Sequence, residues 1–347
     1  MEDLKTTQSL SEKWDRLKEE NPKMRAKQAA DELGVSEVEL IASKCDGETI
    51  VRLEGPWKEV IERIGNLGYV MALTRNESAV HEKKGIYQNF EFSSHVGLVL
   101  DENIDLRIFM KHWHFGFALP VENPRGTLHS LQFFDKDGEA IHKVYLMNKY
   151  HHEEYNRLVS DFTHADQTST INVLPVDDSE TEKPDTEIDV EGFLREWSEL
   201  KDTHDFFPLT RKYDVTRTQA LRLADGRFAR KVDNSSTRAM LEMASGREVP
   251  IMVFVRSRGV IQIHSGPVNK IKVMGDWLNV LDPEFNLHLR ENHIAHSWVV
   301  EKPTEDGIVT SLEIFDGQKN NIATFFGARK PGIPELEGWR EIAKNLH

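Results

Sequence analysis

The sequence aligns with itself over a long distance. Residues 75–135 lie over residues 256–316 without a gap, at a constant offset of 181 positions. Within that register, short pairs recur, such as Phe134-Asp135 and Phe315-Asp316. A solenoid or propeller would repeat every 20–50 residues or so, which is far shorter than this period. The sequence therefore predicts a duplicated domain, and the positions where the copies differ become candidates for function.

Composition restricts the class of protein. The chain has 347 residues, 39% of them hydrophobic, which is enough for two ordinary cores. A formal net charge of −14 argues against sequence-independent binding of nucleic acid, which depends on clustered Lys and Arg. The single cysteine, Cys45, excludes an internal disulfide or a four-cysteine metal site. The apolar runs are too short to span a bilayer and the N-terminus lacks a signal-peptide pattern, so we expect a cytoplasmic protein not embedded in a membrane.

Acidic residues concentrate between the two copies. Residues 177–191 contain eight carboxylates against one lysine, Lys183, with Pro184 in the middle. Self-repulsion and a missing amide donor both disfavour packed structure there. We therefore predict that residues 166–189 form an acidic linker, a solvated spacer that joins an N-terminal repeat (residues 1–165) to a C-terminal repeat (residues 190–347).

Each copy begins with helical patterns and continues with β-type runs. Trp14 and Trp197 occupy matching places in the first helix of each copy and are expected to anchor its core. Ser36 and Thr216 are predicted helix N-caps. Short strands are predicted further on, for example at residues 70–73 and 251–255. Strands that follow helices without alternation favour an α+β fold with antiparallel sheets over a doubly wound one.

Several common chemistries lack their sequence motifs. The chain has neither a Gly-rich phosphate loop nor a dinucleotide fingerprint, which disfavours nucleotide-driven reactions. It also lacks the His-Glu-x-x-His zinc motif and the Gly-x-Ser-x-Gly nucleophile motif.

Short motifs spread over nearly the whole chain resemble one family. They are TRN at 74–76, HVGL at 95–98, IDLRIF at 104–109, KDTHDFF at 201–207, WVVEKPT at 298–304 and GIVTSLE at 307–313. In these motifs the chain is similar to the cytoplasmic haem-utilisation proteins of Gram-negative bacteria, the haemin-degrading factor family. The resemblance implies a tandem repeat in which each half is a large antiparallel sheet flanked by N-terminal and C-terminal helices. It also implies haem as the ligand, taken from an inner-membrane importer.

One histidine distinguishes the two copies. When the two Trp helices are aligned, Asn21 falls opposite His204. With the resemblance, this asymmetry makes His204 the expected proximal ligand of haem iron, because a neutral imidazole donates a nitrogen lone pair. The Phe206-Phe207 pair is expected to pack on the porphyrin, and Asp205 to hold the ring or its neighbours in place.

The resemblance also implies roles for further residues. Arg107 matches a distal arginine that assists oxygen activation, and Arg217 matches a basic residue near the haem propionates; these two rank before the other candidates. A guanidinium suits a carboxylate because two N–H donors can bind it side by side. The alternative for each is an ordinary ion pair or core position. The remaining candidates are Phe109 as an apolar contact, Phe254 on the macrocycle, and Lys302 and Arg329 as propionate anchors. The chain departs from the family at Phe326, where many members have Tyr, and the loss of that hydroxyl removes a possible polar contact to haem.

His81 leaves two interpretations open. It falls opposite Gln262 in the repeat, and the resemblance allows it to serve as the ligand of a second haem site in the first half. The alternative is a buried or strand-surface histidine with no ligand.

Two classes of function follow from the resemblance. The first is an enzyme of haem oxygenase type, in which His204 and Arg107 take part in oxidative ring opening that releases iron, with electrons from an external donor such as a reductase. The second is a non-catalytic carrier that passes haem to another protein. Both need the same ligand and propionate contacts, so the sequence leaves them open, together with a monomeric or homodimeric state. In the repeat, Arg107 falls opposite His288, so this arginine also differs between the copies. A scaffold without haem is disfavoured by the asymmetric His204 and Arg107.

Overall fold

The structure is a computed structural model of the chain. The structure describes residues 8–123, 126–147, 151–168, 170–177, 181–330 and 332–347.

Helices and strands follow one another in the same order in both halves. The α-helices are α1 (Leu10–Glu20), α2 (Ala26–Leu33), α3 (Glu37–Ala42), α4 (Trp57–Ile64), α5 (His152–Asp161), α6 (Val190–Ser198), α7 (Phe206–Tyr213), α8 (Arg217–Leu223), α9 (Ser236–Gly246) and α10 (Glu337–Lys344). The strands are β1 (Val51–Leu53), β2 (Val70–Arg75), β3 (Ala79–Gly85), β4 (Phe90–Phe92), β5 (Gly97–Leu100), β6 (Asp105–Ile108), β7 (Phe115–Asn123), β8 (Gly126–Phe134), β9 (Ala140–Leu146), β10 (Ala229–Val232), β11 (Ile251–Arg256), β12 (Val260–Gly266), β13 (Ile271–Met274), β14 (Trp277–Leu281), β15 (Phe285–Arg290), β16 (His296–Thr304), β17 (Gly307–Phe315) and β18 (Asn321–Gly327).

The chain forms two compact units. The first comprises Met1–Thr74, Lys84–Asp177 and Ser257–Val260, and the second Arg75–Lys83, Asp178–Arg256 and Ile261–His347. The change of unit near residue 177 falls within the predicted linker. The bounds of the two repeats stay a prediction.

In the first unit, a sheet separates two hydrophobic cores. Its strands run in the antiparallel order β1-β7-β8-β9-β2, and β6-β5-β4 form a second antiparallel group. Successive strand residues point to opposite faces. Accordingly Phe134 packs with residues of α1 to α3, whereas Phe133 packs with residues of α4 and α5. Both phenylalanines are fully buried, and each stabilises a different layer of helices.

The second unit repeats this plan. Its larger sheet has the antiparallel order β10-β16-β17-β18-β11-β12, and β3-β15-β14-β13 form the smaller group. Trp298 and Val300 face the core that contains residues of α6 to α8. Val299, between them, faces the core that contains residues of α9 and α10. The helices nearest His204 are therefore packed on one defined face of β16 and β17.

The expected α+β tandem repeat is confirmed. Ser36 and Thr216 cap α3 and α8 through their side-chain oxygens, and Trp14 and Trp197 are buried. The expected strands at residues 70–73 and 251–255 lie within β2 and β11. The expectation missed the long strands β7 and β16. Among the residues described, no helix combines the length and apolar content needed to cross a lipid bilayer.

The predicted solvated spacer differs from the structure where its residues are described. Ile171 and Val173 pack against the core of the first unit. In the second unit, Glu182 accepts a hydrogen bond from Lys319 Nζ at 2.6 Å, and Asp185 forms an ion pair with Arg222. A count of the charges within residues 177–191 could not include Lys319 and Arg222, because both cations come from distant parts of the sequence. The described part of the linker therefore makes ion pairs and apolar contacts, while its side chains stay exposed or half-buried.

A buried histidine in the first unit couples its stability to pH. His142 on β9 is 2% exposed, and its ring lies between the Thr74 hydroxyl at 2.9 Å and the Tyr87 hydroxyl at 2.6 Å. Burial lowers the pKa of the His142 imidazole to about 3. An unfolded histidine has a pKa of about 6.5, so between these values the unfolded chain binds more protons than the folded one. The free energy of unfolding therefore falls as the pH falls through this window.

We expect His142→Gln to flatten that dependence. Glutamine takes up no proton, so the variant should lose a slope of at most about 1.4 kcal/mol per pH unit between roughly pH 6 and pH 4. Urea unfolding followed by tryptophan fluorescence at several pH values measures the difference from the parent, with the exposed His152→Gln as control. Parallel profiles for the parent and His142→Gln would contradict the assignment.

Candidate functional site

His204 lies on a short 3-10 helix just before α7. The helix covers Thr203–Asp205, and its N-cap is Asp202, whose Oδ1 accepts a hydrogen bond from the His204 backbone N–H at 2.7 Å. The side chain of His204 is 90% exposed. The local sequence therefore turns an imidazole outward on a capped, defined piece of backbone.

The His204 ring has one nitrogen engaged and one available. Nδ1 lies 2.5 Å from Oδ1 of Asp202, and Nε2 makes no hydrogen bond to the part of the chain that the structure describes. An ionised carboxylate only accepts hydrogen bonds, so a proton is assigned to Nδ1, and in the neutral form of the ring the lone pair is then on Nε2. The His204 backbone N–H is the main cause that holds the pKa of Asp202 below its ordinary value. The arrangement leaves Nε2 facing solvent, with no partner among the described residues.

Of the two roles expected for Asp205, holding the ring or holding its neighbours, the structure shows the second. Oδ2 of Asp205 accepts a hydrogen bond from the Asp202 backbone N–H at 3.1 Å and so completes a capping box. Asp202, two residues before the histidine, binds the ring instead. Asp205 acts on the ring only indirectly, by fixing the backbone of Asp202.

The two phenylalanines after His204 have different environments. Phe206 is 2% exposed and packs edge-on against Trp197, with 4.5 Å between ring centroids. Phe207 is 65% exposed, and the guanidinium of Arg211 lies 5.8 Å from its ring centroid. Of the predicted pair, only Phe207 offers a ring face to a ligand, whereas Phe206 belongs to the core.

A buried carboxylate, Glu313, binds two of the predicted basic residues, Arg217 and Lys302. Glu313 on β17 is fully buried, and it accepts hydrogen bonds from Arg217 Nε and Nη2, both at 2.7 Å. Lys302 Nζ on β16 donates to the same carboxylate at 2.9 Å, and Ser311 Oγ at 3.1 Å. Arg217 and Lys302 both lie over the ring of Phe206, at 5.3 and 4.8 Å from its centroid.

Two cations therefore share one carboxylate. Burial alone would raise the pKa of Glu313, but the charges of Arg217 and Lys302 hold it well below its usual range. Burial lowers the pKa of Lys302, and Glu313 opposes that effect in part. Lys302 is 3% exposed and committed to Glu313, whereas the Arg217 side chain is 39% exposed. Arg217 Nη1 makes no hydrogen bond to any described residue, so this nitrogen is left for an external carboxylate.

Two other predicted contacts lie in the same unit. Arg329 Nη2 is 3.8 Å from Oδ2 of Asp306. The pKa of Asp202 is lowered mainly by the hydrogen bond from the His204 backbone, and the charge of Arg329 makes a smaller contribution in the same direction. Phe254 on β11 packs edge-on against Phe326 on β18, with 5.2 Å between centroids. Both phenylalanines are half-buried. Contact of Phe254 with a macrocycle stays a prediction.

Arg107 and Phe109 belong to the first unit. Arg107 lies on β6, opposite Leu98, and its guanidinium forms an ion pair with Asp105. Burial raises the pKa of Asp105, against the effect of Arg107. Phe109 is half-buried, and its backbone N–H donates to the Gly259 carbonyl at 2.9 Å. The action of both residues on a ligand of His204 stays a prediction.

His81 is inaccessible in this structure. It is fully buried on β3, its ring lies 4.9 Å from that of Phe285, and neither ring nitrogen has a hydrogen-bond partner among the described residues. Burial holds the pKa of His81 well below its ordinary value. A haem would reach this ring only if the surrounding strands separated, so the position favours the interpretation as a core histidine.

Sequence reasoning missed two residues of this site, Asp202 and Glu313. A signal for Glu313 was present, since a carboxylate in the apolar strand GIVTSLEIF needs a buried cationic partner. For Asp202 the signal was its place as an N-cap two residues before the histidine.

Both halves match one protein family. The matching family model is described as the haemin-degrading HemS.ChuX domain, and it covers residues 34–162 and 214–346.

Relatives match nearly the entire chain. Hemin transport protein HemS from Yersinia enterocolitica is 38% identical over 340 residues, 97% of each chain. Among solved structures, the heme-binding protein PhuS from Pseudomonas aeruginosa, in its holo form, is 44% identical, with a TM-score of 0.94 over 97% of this chain and 98% of that one. The heme-degrading enzyme ChuS from Escherichia coli O157:H7 is 35% identical, with a TM-score of 0.90 over 97% and 98% of the two chains. The chain therefore belongs to the family of the haemin-degrading HemS.ChuX domain and carries that domain twice.

Proposed function

We propose that this chain binds haem through Nε2 of His204 and degrades it by oxidative ring opening that releases iron. The observation that carries the proposal is the exposed imidazole whose Nδ1 is held by Asp202 while Nε2 is left available. A neutral imidazole nitrogen is a common axial ligand of haem iron. The donor set therefore fits the group that the family implies.

Basic residues near His204 are proposed to bind the haem propionates. Arg217 is the strongest candidate, because its Nη1 is uncommitted while Nε and Nη2 are fixed by Glu313. Arg329 is a second candidate, because its charge contributes to the lowered pKa of Asp202. Lys302 is proposed to act indirectly, by sharing Glu313 and adding positive charge beneath Arg217. The exposed ring of Phe207 supplies an apolar surface next to the ligand, and Phe254 is a further candidate for contact with the macrocycle.

The resemblance assigns the remaining roles in the proposed reaction. Bound haem supplies the oxidation chemistry, with O2 as oxidant and a separate reductase as the electron source. Arg107 is proposed to donate hydrogen bonds on the distal side, with Phe109 as an apolar contact that excludes water. The reaction is proposed to take place in the cytoplasm, on haem delivered by an inner-membrane importer.

Carriage without turnover is the second candidate. It is favoured by the names of two relatives, a hemin transport protein and a heme-binding protein, whereas a third is named a heme-degrading enzyme. A carrier needs the same axial ligand and propionate contacts, but no electron supply.

His204→Ala is expected to weaken haem binding. Loss of the axial nitrogen should lower the affinity for haemin by about tenfold or more, equivalent to roughly 1.4 kcal/mol, and change the ferric Soret spectrum. Haemin titration followed by absorbance measures both effects. His152→Ala, a change of an exposed histidine on α5, is the matched control and should behave like the parent. An unchanged affinity and spectrum in His204→Ala would remove the proposed ligand.

Turnover and carriage are separated by adding a reductant. With ascorbate and catalase in air, the haemin complex is expected to lose its Soret band and yield an open tetrapyrrole, identified by mass spectrometry. A Soret band that persists until apomyoglobin is added, and then moves to that acceptor, would reject degradation in favour of carriage.

Arg217→Lys tests propionate binding. Lysine cannot hold Glu313 with two nitrogens while offering a third, so haemin affinity should fall by several-fold to about tenfold. Arg222→Lys, on the same helix but paired with Asp185, is the matched control. Haemin dimethyl ester, which lacks the propionate charges, should bind the parent and Arg217→Lys alike. An equal loss of affinity for the ester would show that Arg217 acts through the fold instead.

A further inference from the structure

Asp202 makes two hydrogen bonds to the residue proposed as the iron ligand. One oxygen, Oδ1, accepts both the backbone N–H of His204 at 2.7 Å and the ring Nδ1 at 2.5 Å. We propose that Asp202 is the positioning residue of the site, which fixes the Nδ1–H tautomer of His204 and so keeps the lone pair on Nε2 for haem iron. This inference rests on the proposed role of His204 as the axial ligand.

The backbone holds Asp202 in place for this task. Its N–H donates to Asp205 Oδ2 at 3.1 Å, while its own side chain caps the 3-10 helix that follows. Asp202 itself has extended backbone, with φ −142° and ψ 149°, as N-cap residues do. Because both sides of the capping box are formed, the carboxylate reaches the ring of the residue two positions later without help from a distant element.

The tautomer decides whether the imidazole can ligate through its exposed nitrogen. A neutral imidazole carries one proton, and the nitrogen that carries it has no lone pair for a metal. The proton of an unassisted imidazole in water favours Nε2, which would block the exposed position. A carboxylate acceptor at Nδ1 reverses that preference and also makes Nε2 a stronger donor, as for metal-bound histidines in general.

Solvent sets the strength of this interaction. The side chains of His204 and Asp202 are 90% and 57% exposed, so water competes for the hydrogen bond in the free protein. A haem docked on Nε2 would exclude part of that water and strengthen the same hydrogen bond. The effect of Asp202 is therefore expected to be larger in the haem complex than in the free chain.

The test compares the full-length parent with Asp202→Asn and Asp205→Asn. Asparagine keeps a side-chain oxygen that can cap the His204 backbone N–H, but it removes the charge that accepts the ring proton. Asp205→Asn removes the same charge from the same turn without touching the ring. Asp202→Ser, another residue that caps helices well, is a second variant with the same expected result should the Asn variant fold poorly.

Two readouts are used. In the haem-free protein, long-range 1H–15N NMR of the His204 ring at about pH 8 reports the tautomer. The parent and Asp205→Asn should show Nδ1–H, and Asp202→Asn should shift toward Nε2–H. In the haemin complex, Asp202→Asn should lower the affinity for ferric haem by about 10- to 100-fold and make the ferric/ferrous midpoint potential more positive, because a weaker donor stabilises ferric iron less.

The proposal is overturned if Asp202→Asn matches Asp205→Asn in both tautomer and midpoint potential. That result would leave a loss of haem binding in His204→Ala untouched, so the positioning role and the ligand role fail separately. A purely structural role of Asp202 would change the unfolding midpoint but neither the tautomer nor the potential, and this outcome also overturns the proposal.

Discussion

The buried carboxylate of Glu313 is the constraint on which the proposed site depends. Strand alternation in β17 turns Ser311, Glu313 and Phe315 toward the helices α6 to α8. A buried carboxylate is costly without partners, so Arg217 and Lys302 are drawn to it. Both cations also cover Phe206, the first residue of α7. The exposed imidazole of His204 therefore stands two residues from a position fixed by buried charge and aromatic packing.

Divergence between the two copies explains why only one of them presents this imidazole. Asn21, which falls opposite His204, is the C-cap of α1, and its backbone N–H donates to the Leu17 carbonyl. In the second copy the corresponding segment is a capped 3-10 helix with Asp202 at its start. The segment after the first helix therefore caps that helix in one unit and orients the His204 imidazole in the other. The duplication preserved the sheet and its two cores, while the loop after the first helix acquired different chemistry.

The structural features that could be predicted from the sequence are those that depend on local patterns of residues. The caps at Ser36 and Thr216 and the core tryptophans follow from helical spacing, whereas the proposal of His204 as the ligand needed the family resemblance beside the asymmetry of the repeat. Pairings over long distances in sequence were out of reach, such as Arg217 with Glu313 across 96 residues. The choice of Asp202 over Asp205 depends on the geometry of one 3-10 turn, which neighbouring letters do not specify. Similarly, Phe206 and Phe207 are chemically alike, and only the phase of α7 decides which of them is buried.

Resonance Raman spectroscopy of the ferrous haem complex, made with 15N-labelled histidine, tests most directly whether His204 binds the iron. If His204 binds the iron, the spectrum should contain an iron–histidine stretching band that shifts with 15N-histidine and with 54Fe and is absent from His204→Ala. A complex without such a band, or a band that persists in His204→Ala, would contradict the claim that His204 binds the iron.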